Sequence, residues 1–333
     1  MKRKICVIGG GTGSFIVLSG LKKNKNFDLT AIVSSADNGG SSKKFRDEFG
    51  ILPPGDIRQC LLALSEEEDK SILRKLFTYR FDKGNGLEGH TFGNIFLTAL
   101  NEISGSNLEA IRLAGKILKI KGKILPITDE NIQLVAEYEN KEIAFGEHAI
   151  DEPEKTHDRK LKITKLFINR KVEVYKEAKK EIENADFLIC GPGDLYTSTI
   201  ANFVVGDAKN IIKNSKAKII FIINLMTKFG QTSNFSATDH VNEIVKYIDR
   251  FPDFVLINNS KLSDKILKIY LDTENATPVL DDLEENKNFK IIRADIASNQ
   301  ISKKAKSDIL LRSLIRHDSD KIAKEIEKII SEN

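Results

Sequence analysis

The stretch Lys4-Ile5-Cys6-Val7-Ile8-Gly9-Gly10-Gly11-Thr12-Gly13-Ser14 decides the fold. Lys4–Ile8 is a short apolar run, cut off by glycines before it could complete a helix. Such a run reads as a strand buried on both faces. Ser14–Leu21 follows with apolar residues all round, as a buried helix would. Strand, glycine turn and helix together open a βαβ unit, in which glycines let the chain turn sharply and bring its N–H groups toward an anion at the helix N-terminus. The apolar run is also too short for a secretory signal core, which needs about 7–15 residues.

Further apolar runs recur along the chain: Leu29–Ser34, Phe187–Cys190, Ile219–Ile223, Val255–Ile257 and Lys290–Arg293. Helical stretches lie between most of them, among them Asn107–Leu118 and Asp239–Ile248. A last helix starts near Asp318 or Ser319 and carries Ile322, Ile326, Ile329 and Ile330 on one face. The alternation predicts a doubly wound, mainly parallel α/β sheet, Rossmann-like and three-layered. Lys123 to Tyr175 departs from it: Ile132, Leu134 and Ala136 alternate with Gln133, Val135 and Glu137, and Glu139-Asn140 suits a hairpin turn. The expected organisation is a nucleotide-binding core, 1–122 and 176–333, interrupted by a small, mainly antiparallel β-rich subdomain at 123–175.

Composition narrows the class. With 41% apolar residues over 333 positions the chain can bury a large core, which excludes disordered and low-complexity classes. No uncharged apolar run approaches the roughly 18 residues of a membrane span. Cys6, Cys60 and Cys190 are widely spaced and form no CxxC pair, so reduced thiols and a cytoplasmic location are expected. The 52 basic and 48 acidic residues nearly cancel, and the densest basic stretch, Lys155 to Lys171, carries no nucleic-acid-binding signature, so no nucleic-acid partner is expected.

The chemistry gathers at strand ends. Gly10, Gly11, Thr12 and Gly13 form the first candidate anion nest. No Gly-Lys-Ser/Thr follows them, and Ser14 stands where a dinucleotide fingerprint needs its third glycine. The second strand runs into Asp37, Asn38, Gly39, Gly40, Ser41 and Ser42, with Asp37 roughly where an acid would take ribose hydroxyls. Arg46 lies within reach of the same nest. In Pro53-Pro54-Gly55-Asp56-Ile57-Arg58 a rigid turn precedes a helix: Asp56 reads as its N-cap, and Arg58 opposes the helix dipole unless an anion or carboxylate sits nearby. His90 and Asn94 share a helical spacing beside Gly89 and Gly93. Gly191, Gly193, Asp194, Tyr196, Thr197 and Ser198 repeat the strand–glycine–hydroxyl pattern, and Asn224, Met226 and Thr227 end the next strand. Asp37, Asp56 and His90 are the catalytic candidates, and Asp37 and Asp56 the candidate Mg²⁺ ligands, since phosphate sites bind that ion through one or two carboxylates. His240 reads as an ordinary helix residue.

Seven blocks in this order resemble the superfamily of 2-phospho-L-lactate transferases and bacterial gluconeogenesis factors: the first glycine turn, Thr30–Val33 with Ala36–Ser42, Leu52–Arg58, Gly89-His90 with Gly93-Asn94, Gly191–Ser198, Asn224–Thr227 and Leu314–Asp318. The Pro-Pro-Gly-Asp-Ile-Arg block marks the gluconeogenesis-factor branch. The resemblance implies a cytoplasmic protein that binds a nucleotide diphosphate or UDP-sugar and is linked to cell shape and carbon-source-dependent growth. It leaves a homo-oligomer open. The other branch implies a transferase that moves a phospholactyl-type group from a guanosine diphosphate ester to a deazaflavin precursor with Mg²⁺. Departures from the family pattern are Lys43 for a glycine, Asp194 for a serine, and Lys228-Phe229-Gly230-Gln231 for a Gln-Pro-Gly-Glu type stretch. Tyr270 and Arg316 match late positions that complete the family pocket.

Overall fold

The computed structural model describes residues 2–66, 71–154, 157–299 and 315–333. Its strands are β1 (Arg3–Gly9), β2 (Phe27–Val33), β3 (Lys123–Pro126), β4 (Leu134–Tyr138), β5 (Ile143–Phe145), β6 (Ile163–Ile168), β7 (Phe187–Cys190), β8 (Lys218–Ile222), β9 (Phe254–Asn258) and β10 (Lys290–Ala294). Seven of them form one sheet in the order β10-β9-β8-β7-β1-β2-β3, every neighbouring pair parallel. The chain winds outward from β1 to β3, then returns to lay β7 against the other side of β1 and winds the opposite way. That reversal makes a crevice at the carboxyl ends of β1 and β7, where open α/β sheets bind ligands.

Strand β1 shows why the fold has three layers. Cys6 and Ile8 point into one apolar core and Ile5 and Val7 into the other, all four within 1% of complete burial. Helices α1 (Gly11–Leu21), α2 (Gly40–Phe49), α3 (Pro54–Leu64), α4 (Ile72–Thr78), α5 (Phe92–Ser104) and α6 (Asn107–Ile117) follow the first strands. Of these, α1, α3, α4, α5 and α6 bury side chains in the Val7 core. The other layer contains α8 (Lys176–Glu183), α10 (Ala208–Asn214) and α11 (Ala237–Ile248), reached after the short α7 (Glu147–Asp151) and α9 (Ala201–Phe203). Two helices close the chain, α12 (Asp264–Glu274) and α13 (Ser319–Ser331). Asp318 caps α13 by accepting from the N–H of Asp320 and Lys321, and Ile322, Ile326, Ile329 and Ile330 return to the Val7 core as their spacing predicts. Gly20 lets α13 approach α1 closely: a Cβ there would lie 2.1 Å from the Ser319 carbonyl oxygen.

The small antiparallel sheet, in order β5-β4-β6, turns at Glu139-Asn140 as expected. Its start differs from the expected boundary. Lys123–Pro126 pairs in parallel with β2 and closes the main sheet, so the antiparallel sheet begins only at Leu134. As an edge strand β3 exposes Lys123 and buries the three residues after it, a segment too short for its periodicity to separate it from the alternating stretch that follows. Leu134, Ala136 and Tyr138 anchor the small sheet in the same core as Cys6 and Ile8. All three cysteines are buried and free. Among the described residues no helix is long and apolar enough to cross a membrane.

Candidate functional site

A cleft of about 580 Å³ lies over the carboxyl ends of β1, β2, β7 and β8. Its floor is the start of α1. Gly10 is the extended N-cap of that helix, with no side chain capping the first turn, so helical N–H groups meet the cleft. Gly11 has φ of +58°, a conformation that favours glycine. Gly13 is pressed against the loop after β7, and Gly10 against the Asp56 carboxylate, whose Oδ2 lies 2.1 Å from where a Cβ would stand. Thr12 completes this part of the lining.

The β2 side is built by α2 and α3. Asp37 accepts from the Gly39 N–H at 2.9 Å through Oδ1, while its Oδ2 and the Ser42 hydroxyl close over Gly55. Pro53, not Asp56, is the N-cap of α3: Pro54 occupies the first helical position, which places Asp56 in the first turn facing the glycine nest. Arg58 is buried beneath Gly93 and donates through Nε to Asn94 Oδ1 at 2.9 Å. This partner is a neutral side-chain amide, not the anion or carboxylate expected beside Arg58, and the cleft lies next to it.

On the other side Gly193, Asp194, Thr197, Ser198, Asn224, Met226 and Thr227 line the cleft. Gly193 N–H lies 3.5 Å from Asn224 Oδ1. The α7 segment of the antiparallel insertion roofs the cleft with Glu147 and Asp151. Lys228, just after β8, bonds Asp194 at 2.7 Å and also Asp151, which further accepts from Thr197 Oγ1 at 3.1 Å and Gln231 Nε2 at 2.7 Å. Burial raises the Asp151 carboxyl, but Lys228 and these hydrogen bonds outweigh it and hold it below the usual carboxylate range. Burial, together with Asp151, leaves Asp194 above that range despite Lys228. Glu147 is pushed well above it by burial and by Asp151, Asp37 and Asp56, so four carboxyl groups share one electrostatic neighbourhood.

Several candidate residues stand elsewhere. His90 does not line the cleft; it precedes Thr91, the N-cap of α5, so it shares no helical face with Asn94. Its ring packs edge-on against Phe45 at 4.8 Å, and burial lowers its pKa. Tyr196 is fully buried core beneath the π-helical turn Leu195–Ile200. Asn38 reaches the insertion instead, where Oδ1 accepts from His148 N–H at 2.6 Å. Arg46 is buried and pairs with Asp47 at 2.9 Å, and Gly191 forms the cis bond to Pro192 behind the lining. Gly40 and Ser41 open α2, and the Ser41 side chain lies outside the described residues. Leu314 of the last family block lies outside them too.

Residues that motif reading passed over include Arg80, Glu147, Asp151 and Arg159, all in the cleft wall. The acids had a local signal: Glu147 and Asp151 stand four apart after Gly146, whose φ is +96°, and so share one helical face. Tyr270 and Arg316 do reach the cleft, and the Tyr270 hydroxyl accepts from Ile315 N–H at 2.9 Å.

Among the described residues no three His, Cys, Asp or Glu side chains converge as a ready metal cage. Asp37 and Asp56, hard oxygen donors flanking the nest, fit an ion such as Mg²⁺ that takes one or two carboxylates and completes its shell with phosphate oxygens and water.

A family profile described as 2-phospho-L-lactate transferase CofD matches residues 5–297. A protein of Thermotoga maritima named "Putative gluconeogenesis factor" is 40% identical over 331 residues, covering 98% of this chain and 99% of its own. The "Gluconeogenesis factor" of Bacillus subtilis is 37% identical over 335 residues, covering 99% of each. The crystal structure of a Bacillus halodurans protein, 34% identical, superposes with a TM-score of 0.87 over 98% of this chain and all of its own. Profile, full-length relatives and a shared architecture agree: the chain belongs to the CofD family and, within it, to the proteins named gluconeogenesis factors.

Proposed function

We propose that this protein is a cytoplasmic nucleotide-sugar-binding factor of the UDP-sugar kind, acting in the control of carbon-source-dependent growth and cell shape. One observation carries the reading: the helix start of α1, without a side-chain cap, opens into a 580 Å³ cleft at the point where the sheet reverses its winding. A diphosphate there would accept from the N–H groups of Gly11–Gly13, with Mg²⁺ held between it and Asp37 or Asp56. Asp37 stands where an acid would take the ribose hydroxyls at the end of β2, and Arg58 and Asn94 line the cleft as well. The relatives' name supports a role in carbon metabolism.

Calorimetric titration of UDP-N-acetylglucosamine in Mg²⁺ tests the reading. The protein binds it, and Asp37→Ala weakens binding by about tenfold, the loss of roughly 1.4 kcal/mol. Heats absent from both proteins reject it. The family profile favours a second reading, transfer of a phospholactyl-type group with Mg²⁺. Product formed from the guanosine ester and a deazaflavin acceptor would establish that activity.

A further inference from the structure

The two halves of the cleft differ in charge. Around the β2 side, Asp37 and Asp56 are matched by Arg58 and Arg80, and the glycine nest adds backbone donors. Around the β8 side and the roof, the described residues that line the wall include six acidic side chains against Lys228, Arg159 and Arg316. Lys228, the cation at the centre of that half, is already held by Asp151 and Asp194. A second anionic group arriving there would lie close to both carboxylates. Lys228 offsets one of the two carboxylates, so the triad keeps a net negative charge that repels an anion, by up to roughly 4 kcal/mol at about 4 Å in the effective dielectric of a partly exposed site. Hydroxyl groups meet the opposite situation: ion-paired carboxylates and the Asn224 and Thr197 side chains offer acceptors and donors without demanding charge neutralisation.

We propose that the β8 end of the cleft is a subsite for an uncharged polyhydroxyl group, and that the Asp151–Lys228–Asp194 triad selects it over a carboxylate-bearing one. The inference rests on the nucleotide-sugar reading and deepens it. It also separates the two family chemistries, because a phospholactyl ester ends in a carboxylate whereas an ordinary hexose does not.

Three probes at fixed Mg²⁺ test the subsite: UDP, UDP-glucose, and UDP-glucuronate, which differs from UDP-glucose by a carboxylate at the sugar's C6. The expected order is UDP-glucose tighter than UDP, with UDP-glucuronate at least about tenfold weaker than UDP-glucose. Asp194→Asn removes one repelling charge and narrows that gap by about tenfold. Lys228→Met leaves two carboxylates without their cation and widens it. Equal affinity of the wild type for the two sugars overturns the proposal, as does a gap that neither variant moves. If the wild type binds none of the three, the nucleotide-sugar reading itself fails. UDP bound with no gain from glucose removes the subsite alone.

Discussion

Replacing Gly13 by alanine inserts one carbon between two loops that already touch. The new Cβ would lie 1.8 Å from the Pro192 carbonyl oxygen, 2.5 Å from its carbon and 3.0 Å from the Gly193 nitrogen. All three are backbone atoms, so no side chain can swing aside. Restoring a normal separation of about 3.5 Å drives the start of α1 and the loop after β7 apart by more than about 1 Å. Such overpacking costs about 1–3 kcal/mol of stability. A diphosphate bridging the two loops would also lose at least one backbone hydrogen bond to a charged oxygen, about 1.5–3 kcal/mol, or roughly 10- to 100-fold in affinity. Gly20→Ala supplies the comparison. Its Cβ would meet the Ser319 carbonyl oxygen at 2.1 Å, a clash of similar kind on the α1–α13 seam away from the cleft. Thermal melts should show both variants destabilised, while calorimetry with UDP should show the affinity loss in Gly13→Ala alone. Wild-type affinity in Gly13→Ala, or an equal loss in Gly20→Ala, would refute the nest as the phosphate site.

Acid should weaken the fold through His317. Burial lowers its pKa from 6.5 to about 4, and Nε2 lies 3.2 Å from the Ile223 carbonyl oxygen. The unfolded imidazole takes up a proton near 6.5 while the buried one waits until about 4. Stability is therefore intact above pH 6.5 and falls across that window by about 3 kcal/mol. His240 shifts in the same direction, so the measurement is the difference in denaturant midpoint between wild type and His317→Asn over that range; parallel curves would refute the assignment. Tyr196→Phe should bind UDP within about twofold of wild type and lose about 1.5–3 kcal/mol of stability, because its hydroxyl meets the Ile163 carbonyl at 3.5 Å and interacts with the Glu243 carboxylate, neither of which lines the cleft. A tenfold affinity loss would return Tyr196 to the site.

Local chemistry was legible from the chain alone. A strand cut off by Gly9–Gly13, its echo at Gly191–Gly193, and the isoleucine stripe of the last helix each depend on neighbours a few residues away, and each appears where its spacing places it. Short-range order is set by backbone freedom and by which side chains can share a face, and both are written in consecutive residues. What the sequence could not reveal are the partners chosen across distance. Asp151 meets Lys228 across 77 residues, and Arg58 meets Asn94 across 36. Lys123–Pro126 joins the main sheet because β2 offers an open edge, while Tyr196 turns inward because a π-helical turn aims it at the core. Those outcomes depend on how whole layers pack, since a side chain's surroundings are fixed by every element pressed against it.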